Sequence, residues 1–206
     1  MTREIDELLA RHKRLKEARR GWESHWQELA EVMLPRRADF TAERAGGARR
    51  TQHLFDGTPL LARRGLAAAI DGLLKPKTAR WFRLKVLDDT LGEAEAVKRW
   101  LEAAEQRLAR ALYDRRARFI QRSGEVDDDL VTFGTGVLFV GEGPALNRLL
   151  FRSYHLKDVV LSENGEGEID SVFVTLRLTA RQAAERFGEA TLGRDTREAL
   201  KAGEVD

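Results

Sequence analysis

The chain has 206 residues, 42% of them hydrophobic, which is enough to bury a core in one or two domains and argues against disorder throughout. It contains no cysteine, which excludes a disulfide framework, a thiolate zinc site and a thiol nucleophile, and no apolar run approaches the roughly 20 residues of a membrane span. The net charge is only +2 and the N-terminus lacks the pattern of a signal peptide, so we expect a cytoplasmic chain without membrane contact.

The first segment predicts one long amphipathic helix over residues 3–34. Its mostly apolar stripe from Ile5 to Met33 advances in steps of three and four, although His12 and Arg19 interrupt it. A proline at position 35 ends the pattern, and a polar, basic loop without apolar periodicity follows.

Three more helices and one strand are predicted before residue 135. Asp56 or Thr58 can cap the first of these helices, which carries a proline in its first turn. Alternating side chains then predict a strand that follows the first helix, and two further helical patterns end at a glycine. The predicted ranges are about 59–75, 93–114 and 116–133 for the helices and 81–87 for the strand.

Short apolar runs between glycines predict a small antiparallel β module over 136–178, with a turn at Asn164-Gly-Glu-Gly167. A capping-box pattern, Thr179-Ala-Arg-Gln182, opens C-terminal helices over 179–206, which we expect to be truncated. The predicted class is therefore α+β, with a mostly helical region over 1–135.

No motif for catalysis or cofactor binding is present. The chain lacks a Gly-x-x-x-x-Gly-Lys-Ser/Thr phosphate loop, and Gly134-Thr-Gly136 follows a helix, which is the reverse of the dinucleotide-binding order. No serine of the sequence lies in a Gly-x-Ser-x-Gly motif. We therefore predict that the protein is not an enzyme and uses no cofactor.

A metal site is not expected either. Consecutive helical residues point about 100° apart, so Asp127, Asp128 and Asp129 cannot converge on one ion and are interpreted as acids on a solvated helix face. Glu125 together with Asp128 or Asp129 stays open as a weaker metal option. The histidine at position 12 is interpreted as packed or at an interface, and the three others, His25, His53 and His155, lack partners at metal spacing.

Two sets of side chains could contact nucleic acid. The four tryptophans, Trp22, Trp26, Trp81 and Trp100, lie on apolar faces and are interpreted as core residues rather than as platforms for bases. A better candidate for a DNA or subunit contact is the cluster Arg115, Arg116, Arg118 and Arg122, although a solvated or subunit-facing helix surface is the more ordinary interpretation.

A series of short motifs along most of the chain resembles the head-to-tail connecting (portal) family of short-tailed phages. Each is weak alone, but together and in this order they are specific. They are Arg20-Gly-Trp22 with Trp26, Leu34-Pro-Arg-Arg37, Leu54-Phe-Asp-Gly-Thr-Pro59, Leu66-Ala-Ala-Ala-Ile70, Leu74-Lys-Pro76 with Arg80-Trp-Phe-Arg-Leu84, Trp100-Leu101, Asp129-Leu130 with Phe133-Gly-Thr-Gly136, and Thr179 to Gly188. Gly57 departs from the serine that is usual in relatives.

The resemblance implies a structural subunit in a ring of about twelve at one capsid vertex, through which double-stranded DNA is packaged and ejected. It also implies capsid, scaffold, terminase and tail proteins as partners, and a location in the virion, with assembly in the host cytoplasm. Family members are more than twice as long. The chain is therefore expected to be an N-terminal fragment resembling the outer wing, without most of the channel.

Charge is distributed unevenly along the sequence. Residues 1–122 carry 27 Lys and Arg against 18 Asp and Glu, whereas residues 123–206 carry 9 against 16. We therefore hypothesise that the basic segment 107–122 meets acidic surface from 158–206 of a neighbour or of the same chain. The alternative is a basic helical DNA-binding protein, and an enzyme with an unrecognised site is a third, weaker option.

Overall fold

The computed structural model describes residues 2–42, 44–52, 54–76, 79–143 and 148–202. The chain divides into two compact units, Met1–Val172 and Phe173–Asp206. Helices predominate and two small antiparallel sheets accompany them, so the fold class is α+β as predicted.

The long N-terminal helix predicted over 3–34 is interrupted at one residue, Arg19, between α1, Thr2–Ala18, and α2, Arg20–Met33. Arg19 itself keeps right-handed helical dihedrals, its N–H donates to the Leu15 carbonyl at 3.2 Å, and its carbonyl accepts from Glu23 N at 3.1 Å. The guanidinium of Arg19 pairs with Glu23 at 2.7 Å and donates hydrogen bonds to the carbonyl oxygens of Leu156, Lys157 and Val159. These acceptors lie far along the chain and are the hydrogen-bond partners of Arg19, a polar residue in the apolar stripe.

The next helices lie close to their predicted positions, but the predicted strand over 81–87 is absent. Helix α3 spans Thr58–Leu74, the short α4 spans Asp89–Glu93 and α5 spans Glu95–Leu112. Residues 81–87 pair with no strand in the described part of the chain, and the backbone N–H of Leu84 donates instead to the Glu105 carboxylate at 2.8 Å. The alternation in this segment is therefore not a sign of sheet pairing.

Helix α6 spans Phe119–Phe133 and begins three residues later than predicted. Arg118 precedes it with φ of 62°, in the left-handed region, which a helix does not continue through. The predicted end is correct, since Gly134 adopts φ of 78° and closes the helix.

The β region consists of two separate two-stranded sheets instead of one module. Strand β1, Val137–Glu142, pairs antiparallel with β2, Leu149–Tyr154, in a register that sets Phe139 opposite Arg152. Strand β3, Val159–Glu163, pairs with β4, Ile169–Val174.

Helix α6 contributes to both apolar clusters of the first unit. Phe133 packs at its C-terminal end, and Phe119 lies at its N-terminal end in the second cluster. The first cluster comprises Trp26, Ala30, Leu34, Ala38, Phe133 and Leu156, and the second comprises Ala117, Phe119 and Phe151.

The assignment of all four tryptophans to a core is wrong. Only Trp26 is buried, with 9% of its surface exposed, while Trp22 and Trp100 are 61% and 65% exposed. Trp81 is partly exposed and its indole N–H donates to the Tyr113 hydroxyl at 2.9 Å. An apolar stripe thus does not by itself tell which side of a helix is covered.

The second unit contains helices α7, Ala180–Phe187, and α8, Arg194–Ala202. The predicted capping box is present at the start of α7: the Thr179 hydroxyl accepts from Gln182 N at 3.3 Å, and the Gln182 side chain accepts from Thr179 N at 3.2 Å.

Candidate interaction surface

Six arginines line one groove on the first unit, which we call the arginine groove. It comprises Arg115, Arg116, Arg118, Arg122, Arg148 and Arg152, and the side chains of β2 form its floor. The four arginines singled out in the sequence are therefore brought together. Two others, Arg148 just before β2 and Arg152 within it, were missed, because only the packing of β2 against the turn before α6 places them beside the first four.

The chain before α6 holds three of these arginines on a turn rather than on the predicted helix. The Asp114 carboxylate accepts from the backbone N–H of Arg116 at 2.8 Å, and the backbone then passes through the left-handed Arg118. Between them, the buried Ala117 accepts a hydrogen bond from Phe151 N at 3.0 Å. This bond fixes the turn against β2.

Two of the six guanidinium groups are already paired. Arg116 lies 2.9 Å from Asp114 and, by hydrogen bonding, lowers the pKa of that carboxyl to about 2. Arg122 lies 2.7 Å from Glu125, which also accepts a hydrogen bond from Ser153. Burial opposes ionisation of Glu125, but these hydrogen bonds outweigh it and its pKa is lowered.

The other four arginines of the groove keep their charge available. Among the residues that the structure describes, Arg115, Arg118, Arg148 and Arg152 form no ion pair. Three of them are exposed and Arg148 is half-buried. A concave surface with four guanidinium groups outside any described ion pair is suited to bind carboxylates or phosphates, since the planar fork of arginine matches both.

The acidic triplet in α6 is not a solvated face, and that interpretation is wrong. Its members point in different directions, as expected, but each meets a base from another segment. Asp127 lies 2.5 Å from Lys75 Nζ, Asp128 pairs with Arg63, and Asp129 lies 3.3 Å from Arg37. These ion pairs tie α6 to α3 and to the turn after α2.

The carboxylates do not gather around a metal. Across the described parts of the chain no group of three or more acids, histidines or cysteines is arranged to hold an ion. The weaker option, Glu125 with Asp128 or Asp129, is replaced by separate pairs, because Glu125 bonds Arg122 and Ser153 instead.

Buried Asp129 and half-buried His155 both contact Arg37, the first through its guanidinium and the second through its carbonyl oxygen. Only 1% of the Asp129 side chain is exposed, and burial raises its pKa to about 6 despite the opposing charge of Arg37. Burial, together with the charge of Arg37, lowers the pKa of His155 to about 4. The neutral imidazole fits its contacts: Nε2 lies 2.9 Å from the Arg37 carbonyl oxygen, and Nδ1 accepts from Lys157 N at 3.1 Å.

The other histidines form no recognisable site. His12 is half-buried in α1, consistent with the packed interpretation, and His25 contacts the ring of Trp22 edge-on at 6.4 Å. His53 lies outside the described residues. Within the described ranges, no helix is both long enough and apolar enough to cross a membrane.

Comparison with known proteins gives a family match and two curated relatives. The model of the family described as "Bacteriophage head to tail connecting protein" matches residues 5–206. A "Probable portal protein" of Bordetella phage BPP-1 is 27% identical over 184 residues, which is 88% of this chain and 32% of that protein. A "Portal protein" of Salmonella phage epsilon15 is 26% identical over 186 residues, 90% of this chain and 33% of that protein. The chain thus spans about a third of the length of these relatives.

Proposed function

The chain belongs to the bacteriophage head to tail connecting protein family, and on that premise we propose that it is a structural subunit of a portal ring at the capsid vertex. The observation that carries the proposal is the family match, which extends over residues 5–206. Both relatives named above are portal proteins, and the similarity to each covers most of this chain.

The surface chemistry supports a role in assembly. The arginine groove presents four guanidinium groups outside any described ion pair, and the acid-rich remainder of the chain offers charges of the opposite sign. A ring requires each subunit to present two different, complementary surfaces, because its contacts are head-to-tail. A chain with basic and acidic surfaces meets this requirement.

We regard the role as structural rather than enzymatic. Asp129 and His155 have shifted pKa values of the kind found in functional groups, but Asp129 is buried, His155 is half-buried, and each contacts Arg37 or its backbone. Their shifts are explained by burial and by the neighbouring charge, without a substrate. In this proposal the energy for DNA movement comes from a separate terminase.

The proposed partners follow from the portal role. About twelve copies form the ring, and capsid, scaffold, terminase and tail proteins contact it. Double-stranded DNA passes through the channel, and the ring resides in the virion after assembly in the host cytoplasm. The segments that line most of that channel are expected in the two thirds of the relatives that this chain does not cover.

Electron microscopy of the purified chain tests this proposal. We expect closed rings with a central opening and one predominant rotational symmetry. Particles that are only monomeric, or open filaments without closure, would contradict the proposal that this chain closes a ring through its own surfaces.

A second candidate, a basic helical DNA-binding protein, is favoured by the same groove. If four arginines contact phosphates, the slope of log affinity against log salt should lie between about −3 and −4 for duplex DNA. Such a slope, measured with a chain that remains monomeric, would favour this candidate over the ring.

A further inference from the structure

An acidic hairpin lies at the turn between β3 and β4. Residues 158–176 contain five acids and no Lys or Arg, and four of the acids flank the turn. Of these four, Asp170 lies 3.5 Å from Arg11. Glu163, Glu166 and Glu168 are exposed and form no ion pair within the described part of the chain.

The turn presents these carboxylates on a fixed backbone. The side-chain oxygen of Asn164 accepts from Glu166 N at 2.9 Å and from Glu168 N at 3.0 Å, and Asn164 N donates to the Glu168 carbonyl at 2.8 Å. Gly167 completes the turn with φ of 80°, a conformation that costs glycine little. Little backbone entropy therefore remains to be lost when the hairpin docks.

The acidic hairpin and the arginine groove lie in the same compact unit, yet they do not satisfy one another. In the described part of the chain, the arginines of the groove form ion pairs only with Asp114 and Glu125, which are close to them in sequence. Of the hypothesised pairing between 107–122 and 158–206, the part that lies within the first unit is therefore absent from the described ion pairs. Both surfaces remain available to a second copy.

We propose that the acidic hairpin of one copy docks into the arginine groove of the next. The proposal deepens the portal role and rests on it, since a contact between two different surfaces is the kind that closes a ring. Three carboxylates would meet four guanidinium groups, and arginine can bind a carboxylate through two parallel hydrogen bonds.

Charge favours a second copy over DNA as the occupant of the groove. The chain itself carries the complementary acids, because Glu163, Glu166 and Glu168 are exposed and form no ion pair within the described part of the chain. Opposed surface charges on two copies also suppress wrong docking, because groove-to-groove and hairpin-to-hairpin encounters are repulsive.

A charge-swap experiment on the full chain tests the proposal. One variant reverses the groove (Arg115→Glu, Arg118→Glu, Arg152→Glu), and the other reverses the hairpin (Glu163→Lys, Glu166→Lys, Glu168→Lys). Each variant alone presents like charges on both surfaces, so we expect its self-association, measured by sedimentation velocity, to weaken roughly tenfold or more. An equimolar mixture should associate like the native chain, because every contact then joins opposite charges.

A matched control reverses three exposed arginines outside the groove, Arg14→Glu, Arg20→Glu and Arg107→Glu. It changes the net charge as the groove variant does and should associate like the native chain. Thermal unfolding followed by circular dichroism verifies that each variant is folded.

The outcomes separate this inference from the portal role. Rings that form equally well in both variants would overturn the docking while leaving the portal role intact. Native-like association of the groove variant combined with lost affinity for duplex DNA would assign the groove to phosphates instead. A native chain that forms no ring contradicts the proposal that this chain closes a ring through its own surfaces, and the docking with it.

Discussion

At the scale of single residues, Asp129 and His155 make opposite contributions to stability. The pKa of Asp129 is raised, so the stability associated with it is fully present below pH 3.8 and is lost as the pH rises through about 6. The pKa of His155 is lowered, so its contribution is present above pH 6.5 and is lost as the pH falls through about 4. The two effects oppose each other between about pH 4 and 6.

Asp129→Asn should stabilise the protein at pH 7.5. The shift of about two pK units corresponds to an ionisation cost on the order of 3 kcal/mol at 1.36 kcal/mol per unit, and asparagine removes it. Below about pH 4 the carboxyl is neutral and the gain should disappear. Urea unfolding at the two pH values measures the difference.

The same variant should also become more sensitive to acid, because the loss from His155 is no longer opposed. Asp6→Asn, at an exposed position of α1, is the control and should leave the free energy of unfolding nearly unchanged. A variant at position 129 that is equally destabilised at pH 7.5 and pH 4 would show that the Arg37 pair, rather than burial of the charge, dominates.

At the scale of elements, α6 holds the first unit together. Its two ends lie in different apolar clusters. Its three consecutive acids form ion pairs with Arg63 in α3, with Lys75 directly after α3, and with Arg37 after α2. Trp26 of α2 packs against Phe133 of α6 with ring centroids 6.4 Å apart, and against Phe40 at 5.6 Å. The helix therefore combines apolar packing with a set of buried ion pairs.

Trp26→Ala should destabilise the protein by roughly 3–5 kcal/mol, the usual cost of removing a buried aromatic side chain. Trp100→Ala is the matched control, because its side chain is 65% exposed, and should change the free energy of unfolding by about 0.5 kcal/mol or less. Comparable losses in the two variants would mean that Trp100 is covered in solution, for instance by another copy.

Short sequence patterns correctly predicted the structural features that depend on residues close together in the chain. The α+β class, the capping box at Thr179 and the end of α6 at Gly134 follow from residues within a few positions of one another. The contacts of Arg19 and of the segment 81–87 involve partners far along the chain, at Val159 and Glu105. No periodicity within a segment can reveal such partners.

The same limit applies to the groove and to the acids of α6. The cluster around Arg115 was visible as a run of like residues, whereas Arg148 and Arg152 join it through the contact of β2 with the turn at Ala117. The burial of Asp129 was also hidden, because its partner Arg37 belongs to a segment that the sequence indicated only as a basic loop.

At the scale of the whole molecule, part of the uneven charge of the sequence is concentrated on two surfaces of opposite sign. The basic excess of residues 1–122 contributes to the arginine groove, and the acidic excess of the remainder includes the acidic hairpin. Their separation within one unit is what an assembling subunit needs, since surfaces that neutralise each other internally could not join neighbours. The family match and the charge pattern therefore lead to the same role.

The mass of the native chain in solution, measured over a range of concentrations, tests this account most directly. We predict a discrete species whose mass is a fixed multiple, about twelvefold, of the 23.4 kDa subunit, because a closed ring has no free ends to which further copies can add. A chain that stays at 23.4 kDa at every concentration, or that grows without a limiting size, would contradict the account.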